Sequence, residues 1–299
     1  MSEKVKAYFQ LHIAVLLFGF TAILGRLIDL QEVVIVWYRL LFTCLSLLFL
    51  PQIWQALKVM SRQRFVQLIG IGIIVSLHWV FFYGAVKYSN VSVTLSCMAT
   101  ASFFTALVEP VITQKKHNIY ELLLGIFVIP GVYIIFHFSD FFLTGIIMGL
   151  AAAFLAAVFN SLNKRMVMRQ DAFSMTMVEL GGGWLFLTLL LPLYWQFFPE
   201  TTLVTGGWDL FNLIVLAILC TTFAYVLSIH ALKQLTAFAN SMTINMEPIY
   251  GILLAFLIFQ ENEQMDNRFY IGTVLVLLAV FLNPLLDYYR KGGRGRGQG

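Results

Sequence analysis

A chain of 299 residues with 60% hydrophobic and only 11% charged side chains falls well below the roughly 25% charge of soluble domains, which excludes a wholly water-exposed fold. The net charge of +4 is scattered over short hydrophilic segments with no aromatic-interleaved basic patch, so no nucleic-acid partner is expected. Cys44, Cys97 and Cys220 lie in apolar runs without the paired spacing of a metal site or a disulfide framework, and read as packing residues; no metal or cofactor is expected.

A bilayer core about 30 Å thick takes roughly 20 apolar residues per helix. Taken in chain order, runs of that kind predict spans at 8–28, 33–54, 65–86, 91–113, 119–136, 142–160, 174–197, 209–231, 237–259 and 269–289. Lys4 and Lys6 precede the first run as they would in a leader peptide, but the run is too long and no small-residue cleavage site follows, so it is read as a span. The breaks are polar, among them Lys58/Arg62/Arg64, Lys115/Lys116, Lys164/Arg165/Arg169 and the acidic stretch from Glu261 to Asp266.

Cytoplasmic loops retain Lys and Arg, so the count of basic residues on alternate sides tests this partition. With the N-terminus in the cytoplasm, fifteen fall inside and three (Arg26, Lys87, Arg268) outside, with Arg39 left within a span. The expected fold is an all-α membrane protein of ten transmembrane helices with both termini cytoplasmic, placed in a bacterial inner (plasma) membrane. The Gly/Arg-rich stretch 291–299 is expected to be a disordered, lipid-facing basic tail.

Ala85-Val86-Lys87-Tyr88, at the end of the third span, recurs as Ala231-Leu232-Lys233-Gln234 at the end of the eighth. Continuing at a separation of 146 to 147 aligns Ser102-Phe103-Phe104 with Pro248-Ile249-Tyr250 and Gly125 with Gly272. Pairing Glu109-Pro110 with Glu247-Pro248 would need a separation of 138 and breaks that register. The halves are then 1–138 and 139–290, and because each has an odd number of spans the second copy is inverted, a plan typical of secondary transporters. Two five-span halves, each ending its third span in Ala-x-Lys and carrying a polar fourth span, resemble the drug/metabolite transporter superfamily, EamA type. Ala231-Leu232-Lys233, Pro248 and Glu261 follow the family pattern; the first half departs from it with Ser102 in place of the proline and Lys115 in place of the acid. The resemblance implies an exporter or exchanger of amino acids, other metabolites, sugars or drugs.

Ionisable residues within spans are costly and normally face the protein interior or an aqueous cavity. Glu247, beside Asn245 and followed by Pro248, is the leading pathway acid and the candidate for titration if transport is proton-coupled. Arg39 and Glu179 occupy comparable places in the second and seventh spans, and inverted symmetry puts them toward opposite faces. Each either holds a charged substrate group or braces the bundle. Glu109 is expected to snorkel or to pair with Lys115.

His78, Trp79, Phe82 and Tyr83 form adjoining aromatic stripes on the third span, a wall suited to an organic substrate, with His78 able to relay a proton; a satisfied core histidine is the alternative. Ser92, Ser96, Thr100 and Phe103 on the fourth span and Asn240, Ser241, Thr243 and Asn245 on the ninth are expected to meet across the pseudo-twofold axis. The sixth span adds Asn160 and Asn163, and the eighth offers Thr221, Thr222 and Tyr225 as weaker candidates. The small-residue stripe Gly145, Gly149, Ala153, Ala157, Ser161 reads as helix packing, and Gly181-Gly182-Gly183 as close approach or local flexibility.

The expected substrate site therefore comprises Arg39, His78, Trp79, Tyr83, Ser96, Thr100, Asn160, Asn245 and Glu247, with small polar metabolites such as amino acids crossing by alternating access. An intramembrane enzyme acting on a lipid-soluble substrate is the rival, yet H-E-x-x-H, G-x-S-x-G and phosphate-loop motifs are all lacking. A non-transporting scaffold is the third reading. The expected partners are a small-molecule substrate and the lipid bilayer, with proton coupling a candidate and no choice made between monomer and homodimer.

Overall fold

The computed structural model describes residues 3–114, 142–167, 172–224 and 246–275, together with isolated positions at 117, 130–131, 133–134, 227–228, 231, 243, 277–278 and 282. All regular structure among the described residues is helical. The first part contains α1 (Glu3–Leu27), α2 (Glu32–Leu48), α3 (Pro51–Val59), α4 (Arg62–Tyr88), α5 (Val91–Met98) and α6 (Ala101–Thr113). The second contains α7 (Leu143–Val167), α8 (Ala172–Phe197), α9 (Gly207–Ile214) continuing as a π-helix (Val215–Phe223), α10 (Glu247–Phe259) and a 3-10 turn (Glu261–Gln264). Among the described residues, five stretches are long and apolar enough to cross a bilayer, with α5 and α6 counted together, and six if α2 and α3 form one broken span. The fifth and tenth predicted spans lie largely outside the described residues.

The second span, expected over 33–54, is corrected by the structure. Its helix stops at Leu48 and the chain turns by 94° into α3. Pro51 at the first position of α3 is the cause: it cannot donate into a helix continuing from α2, yet its fixed φ starts a new one. The fourth span holds its predicted limits but is interrupted after Met98. Thr100 donates its hydroxyl to the Cys97 carbonyl at 2.6 Å, and its N–H reaches the same oxygen at 3.0 Å. The backbone groups freed at such a break need partners inside a membrane.

The repeat register appears in three dimensions at α6 and α10. Both helices have 13 residues, and both are closed by a left-handed glutamine, Gln114 (φ 56°) and Gln260 (φ 54°). Their first residues, Ala101 and Glu247, stand 146 positions apart, as do the two glutamines.

Small residues set the closest crossings. The α7 stripe faces Ser89 and Cys97, since a Cβ on Gly145 would lie 2.5 Å from the Ser89 Cβ and one on Gly149 2.8 Å from the Cys97 Cβ. The triple glycine of α8 seats α8 against α4: a Cβ on Gly183 would meet the Gly72 carbonyl oxygen at 2.7 Å. Close approach, the packing reading of these glycines, is thus what the backbone uses. α10 packs on α1 and α5, with Gly19 against the backbone of Gly251 and Leu95 beside it. The fourth and ninth spans therefore touch through Leu95 and Gly251, whereas Asn240, Ser241 and Asn245 of the expected polar face lie outside the described residues.

Candidate functional site

α2 carries Arg39 into the interior, where it is 6% exposed. Its guanidinium lies 3.8 Å from the centroid of the Trp79 ring. Nη1 donates to the Tyr83 hydroxyl at 2.8 Å and Nε to the Thr221 hydroxyl at 3.0 Å. Trp79 and Tyr83, four apart on α4, reach the same cation because they share a helical stripe. Stacking on a π face while donating in plane is a geometry that arginine, with its flat fork of donors, can satisfy.

Thr221 sits in the π-helical stretch, where it and Thr222 bond carbonyls five residues back, Leu216 at 2.8 Å and Ala217 at 3.1 Å. The π-helix is braced from α2: Ser46 and Thr222 share a hydrogen bond of 2.8 Å. Such stretches are rare and concentrate at functional sites. No sequence signal marked this one, and Thr221 had counted only among the weaker candidates.

Glu247 opens α10 after the interruption in the ninth span and is half-buried. It makes no hydrogen bond or ion pair with a described residue. One turn further along α10, Tyr250 and His12 of α1 are joined by a 2.7 Å hydrogen bond. His12 escaped the sequence reading because a lone histidine in an apolar run carries no spacing signal.

The other expected site residues are distributed as follows. His78 is buried and donates Nδ1–H to the Ala152 carbonyl at 2.8 Å, with its ring beside Phe159. Ser96 donates to the Ser92 carbonyl and shares a 3.1 Å contact with the Thr273 hydroxyl. Thr100 stands at the break in the fourth span, and Asn160 is exposed on α7. Asn245, with Asn240, Ser241 and Tyr225, lies outside the described residues. Arg39 and Glu179 do not pair: Glu179 accepts a hydrogen bond from Asn163 Nδ2 at 3.1 Å.

At the other end of α10, Glu261 forms the ion pair found among the described residues, with Arg26. It also accepts from the N–H of Val91 (3.1 Å), the N–H of Ser92 (2.8 Å) and the Ser92 hydroxyl (2.5 Å). The Arg26 guanidinium rests 4.6 Å from the Phe259 ring centroid. A cavity of about 360 Å³ lined by Arg26, Val86, Lys87 and Ser89 opens beside this junction. The sequence marked Glu261 as the acid ending the ninth span, but not its partners.

These features describe a helical membrane protein with an anchored cation and, among the described residues, an unpartnered carboxyl group in its interior. The EamA-like transporter family matches the chain twice, over residues 5–137 and 143–284. The protein belongs to that family, in the drug/metabolite transporter superfamily, and is a multi-pass membrane protein. An uncharacterized transporter of Archaeoglobus fulgidus is 24% identical over 220 residues, covering 70% of this chain and 72% of the relative. A solved protein crystal structure superposes with a TM-score of 0.60 at 14% identity, covering 94% of this chain and 98% of its own, which establishes likeness of fold.

Proposed function

We propose that the protein is a secondary transporter of the bacterial inner membrane, with ten spans in two inverted repeats and cytoplasmic termini, that exports or exchanges small polar metabolites carrying both charges, such as amino acids. The observation that carries this reading is an anchored guanidinium and, in the same apolar interior, a carboxyl group that pairs with none of the described residues. Arg39 is fixed by Trp79, Tyr83 and Thr221, and Glu247 stands half-buried without a partner among the described residues. Leaving two such groups apart is costly in a membrane unless something comes between them. A zwitterion fits this reading: its carboxylate on Arg39 Nη2, the guanidinium nitrogen not used by Tyr83 or Thr221, and its ammonium on Glu247. Alternating access then follows from two halves that pack around this site, with the interruptions before α6 and α10 giving both halves matching places to bend.

Proteoliposomes loaded with a mixed pool of labelled amino acids, sugars and nucleosides test the reading. Wild type should release amino acids selectively, and Arg39→Gln and Glu247→Gln, at equal folded yield, should each cut that efflux at least tenfold, the loss of about 1.4 kcal/mol of binding. Efflux unchanged in both variants, or selective for uncharged sugars, would overturn it.

A further inference from the structure

The interior holds a second acid whose hydrogen bonds do not balance. Glu179 lies on α8 roughly 10 Å along the helix from Ala172 and is 5% exposed. It receives one hydrogen bond, from Asn163 of α7. The other carboxyl oxygen, Oε1, and the amide oxygen Asn163 Oδ1 are both buried with no partner. An ionised carboxylate facing an amide presents three acceptor oxygens and one NH₂ group, and buried acceptors left without donors are rare. Turning the amide over does not help, because its oxygen would then face Glu179 Oε2 with nothing between them.

Among the described residues, the neighbouring helices offer no remedy. α4 approaches through backbone: a Cβ on Gly72 would collide with the Glu179 carbonyl oxygen. On α4, Ser76 donates to Ile73 and His78 to Ala152. On α2, Arg39 is engaged by Tyr83 and Thr221, and on α3 Lys58 is exposed. Among the described residues, no charged group acts on Glu179. A metal cation is a poor fit, since hard cations take about six oxygens and the tight backbone contact with α4 leaves two orphan oxygens.

One proton supplies what is missing. A carboxylic acid has an O–H donor, and placed on Oε1 it can serve the Asn163 oxygen while Asn163 Nδ2 serves Oε2, closing a neutral acid–amide pair. We propose that Glu179 and Asn163 form a proton-binding site, loaded in this conformation, and that Glu179 carries the proton that drives substrate movement. In the cycle the Glu179 O–H breaks, water on one side of the membrane takes the proton and the carboxylate remains; water on the other side returns a proton after the halves have moved. The role as driver rests on the transport reading above, whereas the loaded site does not. It separates proton binding at Glu179 from substrate binding at Glu247.

Infrared difference spectroscopy of the full-length protein in lipid vesicles, stepped through pH, tests the site without any substrate. Wild type should show the carbonyl band of a protonated carboxylic acid that fades as pH rises. That band should be absent from Glu179→Gln, which keeps the shape and neutrality of the acid, and displaced in Asn163→Leu. Identical acid bands in wild type and Glu179→Gln at every pH would overturn the proposal. In proteoliposomes under an imposed pH gradient, wild-type efflux should depend on the gradient and Glu179→Gln efflux should lose that dependence; wild-type efflux indifferent to the gradient would remove the driving role. A titrating Glu179 band with no flux of any compound would sink the transport reading and leave the proton site standing.

Discussion

Glu261 and Glu179 are both almost fully buried glutamates of one membrane protein, yet their surroundings are opposites. Glu261 is saturated: two backbone N–H groups and a hydroxyl at the start of α5, and the Arg26 guanidinium from α1. Glu179 has a single amide donor and an orphan oxygen. The first arrangement fixes a charge and ties the ends of α1, α5 and α10 together. The second is complete only when a proton is added. Burial by itself therefore says little about a carboxylate's role; the number of donors around it separates a structural anchor from a group free to change state.

Substitutions at the two sites should part company in size. Glu261→Ala should have the largest effect, about 3–5 kcal/mol, because it strands Arg26 and the N-terminal N–H groups of α5; the thermal midpoint in detergent reads it, and a midpoint near wild type would dissolve the contrast. Gly72→Ala comes next at about 1–3 kcal/mol, since its Cβ would be driven into the Glu179 backbone and α4 and α8 would have to separate. The same assay checks it, and the infrared band of Glu179 should move with it. Glu261→Gln should cost about 1–2 kcal/mol, keeping acceptors for α5 but losing the charge opposite Arg26. Glu179→Gln should be the smallest, within about 0.5 kcal/mol, as glutamine is neutral and still accepts from Asn163. If the two glutamine variants proved equally destabilising, the difference drawn between the sites would be wrong.

Much of the architecture was legible in the residues. Apolar runs located α1, α4, α7 and α8 to within a turn or two, because length and hydropathy are properties of a single helix. The 146-residue offset found from Ala-x-Lys and from Ser102 against Pro248 reappears in the paired helices α6 and α10, down to their left-handed glutamine ends. The second span was overextended because Pro51 sits in a run that stays apolar on both sides, and hydropathy does not register a 94° turn. The aromatic stripe of α4 was readable from its i, i+4 spacing, and so was Arg39 as a costly intramembrane charge. That Trp79 and Tyr83 enclose Arg39, while His78 one position away turns to α7, was not.

Composition and periodicity along single segments suffice to set the solvent this chain lives in, the placement of most of its helices and the repeat register. Tertiary structure decided which charges are met and which are left wanting. Arg26 finds Glu261 across 235 positions, Arg39 finds Thr221 across 182 and Asn163 finds Glu179 across 16. Hydrogen bonds act over about 3 Å, so their partners are fixed by how helices pack, a distance that spacing along the chain does not encode.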